Sequence, residues 1–175
     1  MTHDSLFTRL APARWLTALL VLAAAAAVRA QEAQPKLDLT MTGAKEVRVQ
    51  ENGVEVIKQA PVESTASGDI LVYTIAYANA GAAPVVGAGI TGDVPVGTRL
   101  ILGSEQQEAG IDVLFSINGG QTFQPLPITV PVKQADGTVQ RQPAPPDMFT
   151  QIRWQFTAPL PPGAAGKVSY KVKVK

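Results

Sequence analysis

Between Gly68 and Gly81 the chain alternates without interruption. Leu71, Tyr73, Ile75 and Tyr77 fall on one side of an extended backbone, with Ile70, Val72, Thr74 and Ala76 on the other. Side chains along a strand point to opposite faces in turn, so a period of two commits this run to a sheet. β-Branched and aromatic residues dominate it, and the flanking glycines bound it. The period returns twice near the C-terminus. Ile152, Trp154 and Phe156 alternate with Arg153 and Gln155, and Val168, Tyr170, Val172 and Val174 alternate with Lys167, Lys171, Lys173 and Lys175. Weaker strands are expected at 37–41, 47–49, 54–57, 85–90, 98–102 and 111–117. After residue 30 no apolar period of 3.6 is sustained, and 15 glycines and 13 prolines are scattered too densely for long helices. Short strands at this spacing predict an all-β, antiparallel sandwich. Trp154, Ile152, Tyr73 and Ile75 are expected to share one core.

Turn chemistry places three hairpins. Asn52-Gly53 separates 47–49 from 54–57, and Asn-Gly tolerates the positive φ of a tight turn. Asp136-Gly137 does the same between 128–133 and 138–140. Pro131 there has no N–H to give, so that hairpin is expected at a sheet edge. The third is Ser116-Ile-Asn118-Gly-Gly120-Gln-Thr122-Phe123. It resembles the Asp-box turn of sialidases, with Asn118 in the aspartate position, where a short polar side chain pins the turn and an aromatic packs beneath it. A propeller of that kind repeats the box in several blades. One copy reads as a rigid hairpin without a ligand.

Residues 1–30 read as a cleavable signal peptide. Arg9 and Arg14 against Asp4 make a mildly basic start, followed by an apolar run from Trp15 to Ala27. That run is shorter than the roughly 20 residues a spanning helix needs. Val28-Arg29-Ala30 sets cleavage after Ala30, with Ala27 as the near alternative. The chain has no cysteine, hence no disulfide framework and no thiol for lipid attachment. The terminal Lys-Val-Lys-Val-Lys reads as neither an apolar tail nor a sorting signal. The expected product is exported, periplasmic or extracellular, and touches the membrane only through its leader.

Charge and composition narrow the chemistry. Of 15 basic and 14 acidic residues the leader takes Arg9, Arg14, Arg29 and Asp4, which leaves 12 and 13 and a formal net charge of −1. That is no footprint for nucleic acid. The lysines at 167, 171, 173 and 175 read as a solvated strand face that discourages edge-to-edge pairing. His3, the only histidine, lies in the leader. The mature chain therefore lacks the residues of Ser-His-Asp and Cys-His catalysis and of zinc sites built on His and Cys. The acids Glu46, Glu51, Glu55, Glu63, Asp69, Asp93, Glu105, Glu108 and Asp112 are spread over turns and strand ends, unlike the converging pair of a glycosidase. A calcium site at Asp93 or Asp112 would need a clustered acidic loop, which the sequence lacks. No enzyme activity, cofactor or metal is expected.

The stretch Gly68-Asp-Ile-Leu-Val-Tyr-Thr-Ile-Ala-Tyr-Ala-Asn-Ala-Gly81 resembles the signature of the bacterial conserved-repeat domain known as domain of unknown function eleven. Asp93-Val-Pro-Val-Gly97, Ile152-Arg-Trp154 and Leu160-Pro-Pro-Gly163 follow in that family's order. The resemblance covers 63–175, and 31–62 reads as a strand and hairpin leader packed on the sandwich, similar from residue 36 onward to the leader of single-copy members. It implies an immunoglobulin-like β-sandwich of exported and surface proteins. Family members are mostly tandem modules, and a single copy argues against a stalk. Two binding roles follow. One is contact with another envelope or surface protein through loops or a sheet edge, by strand addition. The other is a carbohydrate-binding module, for which Trp154, Tyr73, Tyr77 and Phe123 are the candidate aromatics. All but Phe123 fall on the face assigned to the core, which favours the protein partner.

Overall fold

A computed structural model describes residues 34–175; the expected signal peptide lies outside the described residues. Among the described residues, ten strands and one 3-10 turn, Pro146–Met148, make up the regular structure. In chain order the strands are β1 (Leu37–Glu51), β2 (Val54–Pro61), β3 (Ile70–Asn79), β4 (Gly89–Asp93) and β5 (Thr98–Leu100). They continue with β6 (Ile111–Ser116), β7 (Thr129–Lys133), β8 (Val139–Pro143), β9 (Gln151–Phe156) and β10 (Ala165–Val174). All pairings are antiparallel. One sheet runs β2-β1-β3-β10-β5, a second runs β4-β9-β6, and β7-β8 is a separate ribbon.

The two larger sheets close on one apolar core. Leu71, Ile75 and Tyr77 of β3 and Val168, Tyr170 and Val172 of β10 meet Ile90, Ile152, Trp154, Ile111 and Phe115 of the second sheet. Tyr73 is half-buried at its margin and stacks on Tyr170, with ring centroids 5.3 Å apart. Trp154 and Tyr170 are fully buried, their rings 5.7 Å apart. The Tyr170 hydroxyl crosses between the sheets to donate to the Asp93 carbonyl at 2.5 Å. Gly92 makes room for that ring: a Cβ there would stand 2.8 Å from Tyr170 Cε1. Asn79, buried at the end of β3, donates to the carbonyls of Ala83 and Leu160 at 2.9 Å each and accepts from Gly81 N–H at 3.0 Å. Every polar group of that amide has a use in tying loops to the strand.

Several expectations change. The strands expected at 37–41 and 47–49 are one: Gly43 between them stays in the ladder opposite Tyr73, and pairing runs on through β3 and β2 in succession. The run expected at 85–90 starts late: Val85 makes only an isolated bridge to Leu160, and the strand begins at Gly89. β10 is not an edge. It lies between β3 and β5, so its lysines do not guard an open edge; Lys171 instead pairs with Glu46 at 2.6 Å on the outer face. The Pro131 hairpin is its own two-stranded ribbon, in which both strands are edges. At its turn only Gly137 takes a positive φ, while Asp136 Oδ1 accepts from the Thr138 N–H and hydroxyl at 2.9 and 2.7 Å. Val72, assigned to the face opposite the core, is buried as well. It lines a groove on that outer face with Gln59, Thr74, Gln106 and Lys171.

Candidate interaction surface

The five-stranded sheet is wider than the three-stranded sheet that covers it, and the surplus is β1 and β2. Leu39 sits directly opposite Tyr77, and Met41 opposite Ile75. Opposed residues share a face, so both point to the side on which Tyr77 and Ile75 are buried. Leu39 and Met41 are nevertheless 51% and 50% exposed. The same alternation carries Val47 and Val49 onto this face, where Val56 opposes Val49 and Val54 opposes Glu51. Of eleven large apolar side chains exposed among the described residues, Leu39, Met41 and Val54 share this face, while Ile57, opposite Arg48, lies on the other face of the same hairpin. A concentration of this kind marks a contact surface more often than scattered single residues do.

Local chemistry sets the hairpin. Asn52 at φ 52° and Gly53 at φ 80° form the two-residue turn whose twist matches antiparallel strands. Cross-strand ion pairs join Arg48 to Glu55 at 3.3 Å and Lys58 to Glu51. Both charges of β2 are thereby drawn back toward β1.

On the outer face of the smaller sheet, Arg153 of the central strand lies 3.8 Å above the Phe123 ring, and its Nε donates to Thr91 Oγ1 at 3.3 Å. Phe123 is positioned by the Asn118 turn. Asn118 Oδ1 accepts from Ser116 Oγ at 2.8 Å and from Thr122 N–H at 3.0 Å, and its Nδ2 donates to Thr122 Oγ1 at 2.9 Å. The Asp-box-like pinning is thus present, and the aromatic that follows it packs under arginine. Trp154 and Tyr77, the other large sugar-platform candidates, are buried in the core, and Tyr73 is stacked at its margin.

The acids do not converge. Asp93 and Asp112 oppose Gln151 and Gln155, at opposite ends of β9, and Asp93 Oδ1 accepts from Gln151 Nε2 at 2.7 Å. Among the described residues, no group of three or more His, Cys, Asp or Glu side chains could hold a metal ion. Titration is perturbed at scattered points. The Ala66 N–H, at 2.8 Å, holds Asp69 below the usual carboxylate range against an opposing cost of burial, with Lys45 adding to the lowering. Burial pushes the Glu105 carboxyl up, and one of its oxygens has no partner among the described residues. Burial, with Glu108 beside it, raises the Tyr77 hydroxyl. Gly166 allows that contact, since a Cβ there would collide with both Tyr77 Oη and the Glu108 carboxylate.

Compared with known proteins, the chain matches no family model, no curated protein and no solved structure. The uncovered face of β1 and β2 has no sequence motif. Its only trace was Leu37, Leu39 and Met41 in alternation before a hairpin, a pattern that reads equally as core.

Proposed function

We propose that the protein is an exported, non-catalytic module with an immunoglobulin-like sandwich fold, working through protein contact in the cell envelope or outside the cell. One observation carries the contact reading: among the described residues, the β1–β2 hairpin leaves an apolar face uncovered beside a sheet edge that no strand pairs. Edges and apolar faces of this type accept extended segments by strand addition. The export reading rests on the leader sequence at 1–30, and the non-catalytic reading on a composition with no cysteine and only His3. Two sheets over a shared core, with Trp154 at its centre, are consistent with the immunoglobulin-like arrangement, as is the resemblance of 63–175 to the conserved-repeat domain. Burial of Trp154 and Tyr77 argues against a sugar platform. A pull-down from an envelope extract with the purified protein tests the reading. Recovery of a stoichiometric protein partner, whether another protein or a second copy, supports it. Selective retention on a glycan resin with no protein recovered would overturn it.

A further inference from the structure

The geometry points to a particular occupant of the β2 edge: we propose that it pairs antiparallel with β2 of a second copy of this chain. This gives the protein-contact reading a specific partner.

The argument begins with the direction of the backbone groups. In a hairpin closed by a two-residue turn, Glu51 and Val54 form the first hydrogen-bonded pair, and bonded and non-bonded pairs then alternate. Val56 and Lys58 therefore spend their N–H and C=O groups on β1. Glu55, Ile57 and Gln59 aim theirs at the open edge, which no strand pairs among the described residues. Pro61 ends the run, since the next outward position has no N–H.

A two-fold axis relating antiparallel edges keeps the faces aligned, so the pairing must be centred on a residue. Centring on Glu55 sets two carboxylates opposite each other, and centring on Lys58 sets two ammonium groups opposite; like charges directly opposed are destabilising. Centring on Val56 aligns Gln59 with Gly53 of the second copy, inside the turn, and loses the outer bonds. Centring on Ile57 pairs Glu55 with Gln59 of the second copy, Ile57 with its equivalent, and Gln59 with Glu55. All three outward-facing positions are then bonded, the Gln59 amide can donate to the Glu55 carboxylate, and no like charges meet. Ile57, more than three-fifths exposed, then meets its equivalent across the pair. The ion pairs that draw Glu55 and Lys58 toward β1 remove the usual charge protection of an edge.

The chain has no cysteine, so a single introduced thiol reads the register directly. In the Ile57-centred pairing, residue 57 stands about 5.5 Å from its equivalent, Cα to Cα, within the range a disulfide spans. Residue 55 stands roughly 13 Å from its own equivalent, which is out of reach. Ile57→Cys is expected to give covalent dimer under mild oxidation, and Glu55→Cys to remain monomeric on denaturing gels. Light scattering is expected to give a dimer mass for the parent protein and a monomer mass for Ile57→Lys at equal concentration, with unchanged far-ultraviolet circular dichroism. A parent mass equal to that of Ile57→Lys would overturn the proposal, as would equal cross-linking of the two cysteine variants. Either result leaves open contact with another protein, which the pull-down reads separately.

Discussion

Replacing Trp154 by alanine tests whether the two sheets are held by a single aromatic centre. Trp154 is fully buried on the central strand of the smaller sheet, against Tyr170 of the larger. About 200 Å² of aromatic surface at about 25 cal/mol/Å² contributes about 5 kcal/mol. The indole N–H has no partner among the described residues, so its removal returns about 1–2 kcal/mol of desolvation cost. The expected loss is about 3–4 kcal/mol, inside the range of about 3–5 kcal/mol seen for large aromatic truncations. That is a large share of a typical domain stability of about 5–15 kcal/mol. Urea denaturation followed by far-ultraviolet circular dichroism reads it as a lower midpoint at unchanged slope. Trp154→Phe keeps a ring against Tyr170 and loses the orphan N–H, so it is expected to cost less than half as much. A loss below about 1 kcal/mol for the alanine variant, the scale of an ordinary surface change, would refute a core centred on this residue.

Other perturbations probe separate contacts. Gly92→Ala drives a Cβ into the Tyr170 ring and is expected to cost about 1–3 kcal/mol by overpacking; a thermal shift no larger than that of an exposed control would contradict the sheet spacing. Asn118→Ala removes the bonds to Ser116 and Thr122 and is expected to cost about 1 kcal/mol. Asn118→Asp keeps the acceptor, so amide exchange at Thr122 should quicken in the alanine variant alone. Because burial raises the Glu105 carboxyl, its contribution to stability is full below the ordinary carboxylate range and is lost as pH rises through the raised value. Glu105→Gln should therefore melt close to the parent in acid and above it at neutral pH, and an unchanged gap across that range would count against the assignment. Asp69 is shifted the other way, so Asp69→Asn should melt below the parent at neutral pH, with the gap closing as pH falls through the lowered value.

How much was legible in the sequence varies by element. Alternation was enough for β3, β9 and β10, because each buries chiefly one face (Val72 of β3 excepted) and the period of two survives along its length. The Asn52-Gly53 and Asn118 turns were legible because their side chains and glycines act within a few residues. β1 was not, since nothing local marks where its pairing passes from β3 to β2. The candidate interaction surface was the least legible. Leu39 and Met41 carry the same pattern as Ile75 and Tyr77, and a residue cannot record the width of a sheet packed above it.

The sequence by itself determined the strand periods, the turns and the absence of cysteine, all properties of neighbouring residues or of composition. It also supplied the leader reading and a composition with one histidine. Only the tertiary structure decided which strands were edges and which apolar faces found cover. It placed the lysine-bearing β10 inside its sheet and left the neutralised β2 outside. Strand order is set by pairing between distant segments, and burial by the sum of all the layers that stack upon a face. Neither quantity is stored in any one stretch of chain.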